Sequence, residues 1–516
     1  MDWLVYLSAA LLSVVFISFL RHLPLVRSNE DEEDIMSSLP TAGVRPTEWF
    51  SRSRAILRSI TQSAKTTSDG YKLYCQSRNL PFRINIFGIG PVVVIPPKQF
   101  DILNKSEKEI RAFPAQMEVM QPRYMLGDRD EALFKNAIQF EVVRKHMNRD
   151  VSFFTPNTAD ELEHVFRHSL DLTSKTPVDL SVWDACLKII GRTANRTFIG
   201  LPLCRDDTLL EHSTEYAKIV FQGATLISVL PSFLKPVVGP LIGRAAQGHA
   251  TSCMRILKPH VEKRLLDRSQ GNKVPNDALQ WMIDQSAKSH SGETSTKVIT
   301  QRLLILQLVS IYTTTYALTN IIVNIYGSEF RDEFVAGLRS ECDRVSQQYD
   351  GLSSREAVEQ LYRVDSTVRE SLRISPFSVL APFRFLPPDT GLDLGDIHLP
   401  PNSRLGVPFQ AVHHDPNNYD DPLKFDAFRF SREFEGGMSR AGQKATVDID
   451  PSFLTFGYGR HVCPGRWYTS QTLKQTLAYL IQHYDVELLE KPESTTSILN
   501  TILPPIKSKI RIKSRG

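Results

Sequence analysis

Cysteine is scarce in this chain: six among 516 residues, at positions 75, 186, 204, 253, 342 and 463. No two of them form a C-x-x-C pair, so the spacing offers neither a disulfide framework nor a structural zinc site. Such usage fits a reducing compartment, in which the sequons at Asn104 and Asn195 stay unglycosylated. Excess charge is lacking as well. The formal net charge is +4 and no dense basic tract with interleaved aromatics occurs, so nucleic acid is not an expected partner. No repeat appears at solenoid periods. What remains is an ordinary globular composition, 41% hydrophobic and 23% charged, with ample material for a core.

Charge is also missing from the run Trp3–Leu20 (WLVYLSAALLSVVFISFL). At about 1.5 Å per residue this run nearly spans a hydrocarbon core of about 30 Å, and Leu23–Val26 can extend it. It follows Asp2 rather than a basic segment and has no clear small-x-small cleavage site, which favours an uncleaved anchor over a signal peptide. Arg21 and Arg27 on its C-terminal flank place the main body in the cytosol by the positive-inside rule. The expected division is a membrane anchor over 1–27, a linker over 28–46 and one folded body over 47–516. The linker is acidic at Asn29–Asp34 and stiffens through Pro40, Gly43 and Pro46.

Within the body, Phe82–Ile95 (FRINIFGIGPVVVI) holds two β-rich runs split by Gly88-Ile-Gly-Pro91, which predicts a hairpin. From about 97 to 375 apolar residues recur at helical spacing. Ser286–Lys297 and Gly436–Ala445 read as exposed loops. Phe377–Pro408 turns to short strands and Pro-rich turns. Leu226–Ile242 is strongly apolar with three prolines. It is either core or a membrane-facing lid over a substrate site. The fold class expected is mainly α with small β-sheets, preceded by one transmembrane helix.

The chemistry concentrates at Phe456-Gly-Tyr-Gly459-Arg-His461-Val-Cys463-Pro-Gly465. A lone cysteine in a Gly-rich turn can present its thiolate as an open metal ligand. The helix beginning near Arg466 then brings its positive dipole end to the sulfur. The alternative is a buried structural cysteine. This stretch resembles the haem-binding loop of the cytochrome P-450 family, F-x-x-G-x-[RH]-x-C-x-G. The long helical body with a small β portion resembles that fold over nearly everything after residue 40. The resemblance implies haem b with Cys463 as the axial thiolate, which favours O–O cleavage. It also implies that Phe456 shields the sulfur and that His461, where Arg is commoner, donates to a haem propionate. Gly459 and Gly465 would let the backbone approach the porphyrin.

Other segments extend the likeness. Glu370-Ser-Leu-Arg373 puts two opposite charges on one helix face. By resemblance Arg429, in Phe425-Asp-Ala-Phe-Arg-Phe430, joins them in a buried cluster that serves haem incorporation. Arg384 stands where relatives place a propionate-binding Arg. The family's W-x-x-x-R lacks its Trp here, with Arg144 or Lys145 as stand-ins. In Arg302–Tyr326, the candidate distal helix, Thr313 and Thr314 match the family's [AG]-G-x-[DE]-T-T, while Ser310 replaces Gly and Tyr312 the acid. Without the family, these threonines would be read as back-bonding to the preceding turn. A phenol of ordinary pKa near 10 is a poor proton relay, so the departure leaves the proton route open. His413-His414-Asp415 looks like a metal cluster, but adjacent residues point apart, and it resembles the family's structural H-x-D-P turn.

The resemblance implies a monooxygenase acting on an apolar small molecule, with electrons from NADPH through NADPH–cytochrome P-450 reductase. It further implies single-pass anchoring in the endoplasmic reticulum bilayer with a cytosolic catalytic domain. The texture is that of fungal microsomal enzymes of secondary metabolism, many acting on terpenoids. Two other functions stay open on the sequence. One is a haem-thiolate isomerase or dehydratase that needs no reductive oxygen activation; the other is a non-catalytic haem-binding membrane protein.

Overall fold

The computed structural model describes residues 39–128, 131–149, 151–289, 295–435, 444–492 and 495–515. The expected anchor, the acidic part of the linker and most of the loop at 436–445 lie outside these residues. The longer helices are α1 (Ser51–Gly70), α2 (Val151–His164), α3 (Val182–Phe198), α4 (Asp207–Val229), α5 (Lys235–Ser269), α6 (Ala278–Lys288), α7 (Thr296–Tyr326), α8 (Arg331–Tyr349), α9 (Tyr362–Ile374) and α10 (Arg466–His483). The strands are β1 (Phe82–Ile86), β2 (Gly90–Val94), β3 (Val178–Ser181), β4 (Phe383–Phe385), β5 (Leu392–Leu394), β6 (Ile397–Leu399), β7 (Arg404–Gly406), β8 (Tyr484–Leu488), β9 (Ser497–Ile498), β10 (Thr501–Ile502) and β11 (Lys509–Ser514).

Helix α7 is apolar on every side, which only a fully surrounded helix tolerates. It packs against α3, α4, α5, α9 and α10 and forms the axis of the main core. Among the described residues it is the one helix long and apolar enough to cross a membrane, yet 72% of its apolar window is buried in protein. Its start is set by Ser295, whose side chain accepts from the Val298 N–H at 3.3 Å. The helix therefore begins six residues ahead of the expected Arg302. Arg302 itself is fully buried, donating to the Asn136 carbonyl at 2.6 Å. The expected loop at 286–297 shrinks accordingly, because α6 continues to Lys288.

A second core lies around a four-stranded sheet of order β1-β2-β7-β4. Strands β1 and β2 form the expected hairpin, in register from Phe82 opposite Val94 to Ile86 opposite Gly90. Gly88 takes φ +74° in its turn, a conformation that favours glycine. Strand β7 runs parallel to β2 and antiparallel to β4, with Arg384 opposite Leu405. The smaller sheets are β3-β11-β8, β5-β6 and β9-β10.

Candidate active site

The cysteine loop is held from three sides. Its ends are tied by the Cys463 N–H donating to the Phe456 carbonyl at 2.8 Å. The Asn148 side-chain amide holds the Pro464 carbonyl at 3.0 Å. Just before the loop, the Leu454 N–H donates to His413 Nε2 at 2.8 Å. That bond leaves the proton of His413 on Nδ1, which donates to the Arg373 carbonyl at 3.0 Å. Phe456 is buried beside this junction. Gly459 takes φ +76°, and a Cβ there would lie 2.5 Å from the Leu103 carbonyl oxygen. A side chain here would collide with the backbone of the segment before Lys105. Gly465 differs, because a Cβ on it would meet only the Cys463 sulfur, at 4.0 Å. Space beside the sulfur is open.

Cys463 is partly exposed. Burial pushes its thiol up, while the N–H groups of Gly465 and Arg466 and the Arg466 charge pull it back down. A cation at the sulfur would complete the loss of the proton. The other five cysteines are buried in the body, and burial raises each thiol.

Three buried nitrogens at or near the loop have no hydrogen-bond partner. They are Arg384 Nη2, His461 Nε2 and Arg466 Nε. Arg384 lies on β4, donates from Nη1 to the Phe383 carbonyl at 2.8 Å, and is pulled down to about 10 by burial, with Glu107 opposing. His461 sits 2.9 Å from Glu107, outside hydrogen-bonding alignment, and burial and the Arg384 charge hold it below the usual imidazole range. Buried donors are normally satisfied, so the unpaired Arg384 Nη2 fits an anionic group that the protein does not itself supply. Glu107, which also accepts the Ala112 N–H at 3.0 Å, was not legible in the sequence. Arg144 is exposed, and its charge is felt at His461; Lys145 instead pairs with Glu141 at 3.1 Å. The open sulfur and the unpaired Arg384 Nη2 fit haem, for which Cys463 would be the thiolate ligand and Arg384, with His461 beside it, would face the carboxylates.

Behind the loop, Glu370, Arg373 and Arg429 come together. Arg373 donates from Nε and Nη2 to the two oxygens of Glu370 at 2.7 and 2.8 Å, and both residues are fully buried. Arg429 Nε reaches Glu370 at 3.1 Å. The remaining donors meet carbonyls: Arg373 those of His413 (2.6 Å) and Pro422 (2.7 Å), Arg429 that of Asp420 (2.6 Å). An open surface cleft of about 660 Å³ lies on the outer side of this cluster, lined by Arg369, Tyr419, Lys424 and Arg429. It is a charged surface feature, distinct from the space at the sulfur.

On α7, Thr313 is exposed, whereas its neighbours Ile311 and Thr314 are buried. Its hydroxyl donates to the Val309 carbonyl at 2.7 Å, leaving its lone pairs free. Thr314, about 100° further round the helix, is turned into the core. Tyr312 stacks on Phe221 of α4 (4.7 Å between ring centres) and meets Trp183 of α3 edge-on at 5.3 Å. Burial raises its phenol, so it serves as an aromatic anchor between helices rather than a proton relay. His413, His414 and Asp415 diverge: His414 binds the Ile374 carbonyl at 3.1 Å, and Asp415 accepts from Tyr71 at 2.6 Å and Gln76 at 2.7 Å.

A helical body around one central helix, with a cysteine presented ahead of α10, defines the architecture of a thiolate-ligated enzyme. Comparison with known proteins agrees. The family model for cytochrome P-450 matches residues 92–512. The chain is similar to the cytochrome P-450 monooxygenase gloP of Glarea lozoyensis, 32% identical across 99% of this chain and 96% of the relative. A second relative is the cytochrome P-450 monooxygenase htyF of Aspergillus rugulosus, 32% identical across 93% of this chain and 72% of the relative. Among solved structures, retinoic acid-bound cyanobacterial CYP120A1 shares the fold, with a TM-score of 0.64 and 18% identity over 92% of this chain and all of that one. The chain belongs to the cytochrome P-450 family, and it is a monooxygenase of the oxidoreductase class.

Proposed function

We propose that this monooxygenase oxidises an apolar small molecule of fungal secondary metabolism, of terpenoid class, at a haem ligated by Cys463. The observation that carries the reading is the open sulfur of Cys463 near Arg384 Nη2, a buried guanidinium donor with no hydrogen-bond acceptor, and His461, whose one close side-chain neighbour is Glu107. When bound, haem supplies reductive activation of dioxygen and transfer of one oxygen atom to substrate. The protein supplies the rest. Gly465 and Arg466 hold the sulfur with backbone N–H groups. Arg384 and His461 orient the carboxylates, with Glu107 behind His461. Thr313 offers its lone pairs to a water, and Ser310, half-buried three residues earlier on the same helix side, extends the path. Phe221, Trp183 and Tyr312 pack α3 and α4 against α7 at this level.

Electrons come from NADPH through NADPH–cytochrome P-450 reductase, a reading supported by exposed Arg460 and Trp467 beside the cysteine loop. Attachment to the endoplasmic reticulum membrane through 1–27 is supported by a second apolar surface. Phe233, Val237 and Leu241, in and after the α4–α5 turn, are 60%, 65% and 54% exposed, whereas Val229 and Leu230 cover Phe87.

The test is spectroscopic and chemical. Wild-type protein, reduced and treated with CO, should show a thiolate-type Soret band, and Cys463→Ala should lose it while Cys342→Ala keeps it. A thiolate-type band persisting in Cys463→Ala defeats the assignment. Metabolite profiling of a strain lacking the protein should show accumulation of an unoxidised terpenoid; accumulation of another class would overturn the substrate reading alone.

A further inference from the structure

Helices α4 and α5 form an antiparallel pair, and His212 of α4 faces His249 of α5 with their Nδ1 atoms 3.1 Å apart. The ring centres are 5.2 Å apart and the planes cross at 63°. Among the described residues neither imidazole has another side-chain partner, and both are half-buried. Two facing Nδ1 atoms leave two arrangements. One nitrogen carries a proton and donates it to the other, or both present lone pairs to a cation between them.

The separation suits the second arrangement as well as the first. With metal–nitrogen bonds of about 2.05 Å, nitrogens 3.1 Å apart subtend about 98° at the ion, between octahedral (about 90°) and tetrahedral (about 109°) coordination. Approach is open, because both imidazoles are only partly buried. Local charge is favourable, with Glu211 and Glu215 flanking His212 on α4. Glu215 pairs with Lys218 at 3.1 Å, one turn further along.

We propose that His212 and His249 form a bis-histidine site for a divalent transition-metal ion of the Zn²⁺ type, cross-linking α4 to α5. Among the described residues no group of three or more His, Cys, Asp or Glu is arranged to hold a metal, so water fills the remaining positions. The site is accordingly weaker than a structural zinc centre built from four side chains. Binding through both Nδ1 atoms requires each imidazole to carry its proton on Nε2. Helix α4 also carries Phe221, stacked on Tyr312 next to Thr313. A cross-link to α5 would thus stiffen the hairpin that packs against α7. The His212–His249 site is formed by α4 and α5 alone and is independent of the assignment of Cys463.

The experiment uses untagged, full-length holoprotein, freed of adventitious metal by chelator and titrated with Zn²⁺ by calorimetry and thermal unfolding. Wild type should bind one equivalent and unfold at a higher temperature with the ion. His212→Ala and His249→Ala should each weaken binding by about tenfold or more and lose the thermal shift, whereas His260→Ala should behave as wild type. Should either alanine variant fold poorly, His212→Gln replaces it, and an unchanged metal-free unfolding temperature certifies the comparison. Wild type that binds no Zn²⁺, or pair variants that bind it as wild type does, would overturn the proposal.

Discussion

Replacing Glu370 by Gln removes one charge and little else, yet the surroundings make it a severe change. Glu370 accepts two bonds from Arg373, one from Arg429 Nε and one from the Asp426 N–H, and its side chain is fully buried. In the variant an amide NH2 faces at least one guanidinium N–H, and Arg373 becomes a buried cation with no counter-charge. Removing one partner of a buried pair typically costs about 3–5 kcal/mol, against a total stability of about 5–15 kcal/mol. The folded-to-unfolded ratio should fall by roughly a thousandfold for a loss near 4 kcal/mol. The effect should reach the cysteine loop, because the Arg373 carbonyl holds His413, which holds Leu454. Urea unfolding followed by tryptophan fluorescence measures the first consequence, and haem content per protein the second. A double variant, Glu370→Gln with Arg373→Met, should cost less than the sum of the singles, since it removes the orphaned charge as well. A Glu370→Gln protein within about 1 kcal/mol of wild type, with full haem content, would refute the reasoning.

Thr313→Ala should keep the CO band and substrate binding but yield fewer product molecules per NADPH consumed, with about 10²–10⁴-fold as an outer bound; Tyr312→Phe should be milder, and unchanged coupling in Thr313→Ala would move the water path to Ser310. His414 is pulled down to about 4 by burial and the Arg373 charge, with its bond to the Ile374 carbonyl opposing. Its folded-state pKa lies below the unfolded value, so its contribution is present above about pH 6.5 and is lost as pH falls toward 4, about 3 kcal/mol in all. His413 acts in the same direction. Glu341, pushed up to about 7 by burial, acts in the opposite one, so the check is the difference in urea midpoint between His414→Asn and wild type across that range. A constant difference would show that His414 does not titrate in this way. Deleting residues 1–27 should release much of the protein from membranes with haem binding intact, and loss of haem in a soluble, folded truncation would break the division into anchor and body.

Local signals carried most of the class. The cysteine loop is contiguous, so its pattern survives in one line of sequence, and Glu370 with Arg373 needs only the helical repeat to become a pair. The hairpin at Phe82–Ile95 and the all-apolar α7 follow from short-range patterning in the same way. Tertiary structure decided whatever depended on residues far apart in the chain. Which threonine is exposed depends on how α7 rolls between its neighbours, and that left Thr313 exposed and Thr314 buried. Tyr312 became an anchor because Trp183 and Phe221, each from another helix, fold against it. Gly459 is required by Leu103, and His461 gained Glu107, through the packing of a segment over three hundred residues upstream. His212 and His249 face each other only once α4 and α5 pack. Spacing along a chain sets which side chains share a face of their own helix; the partner on the opposite side is set by packing, which no local pattern encodes.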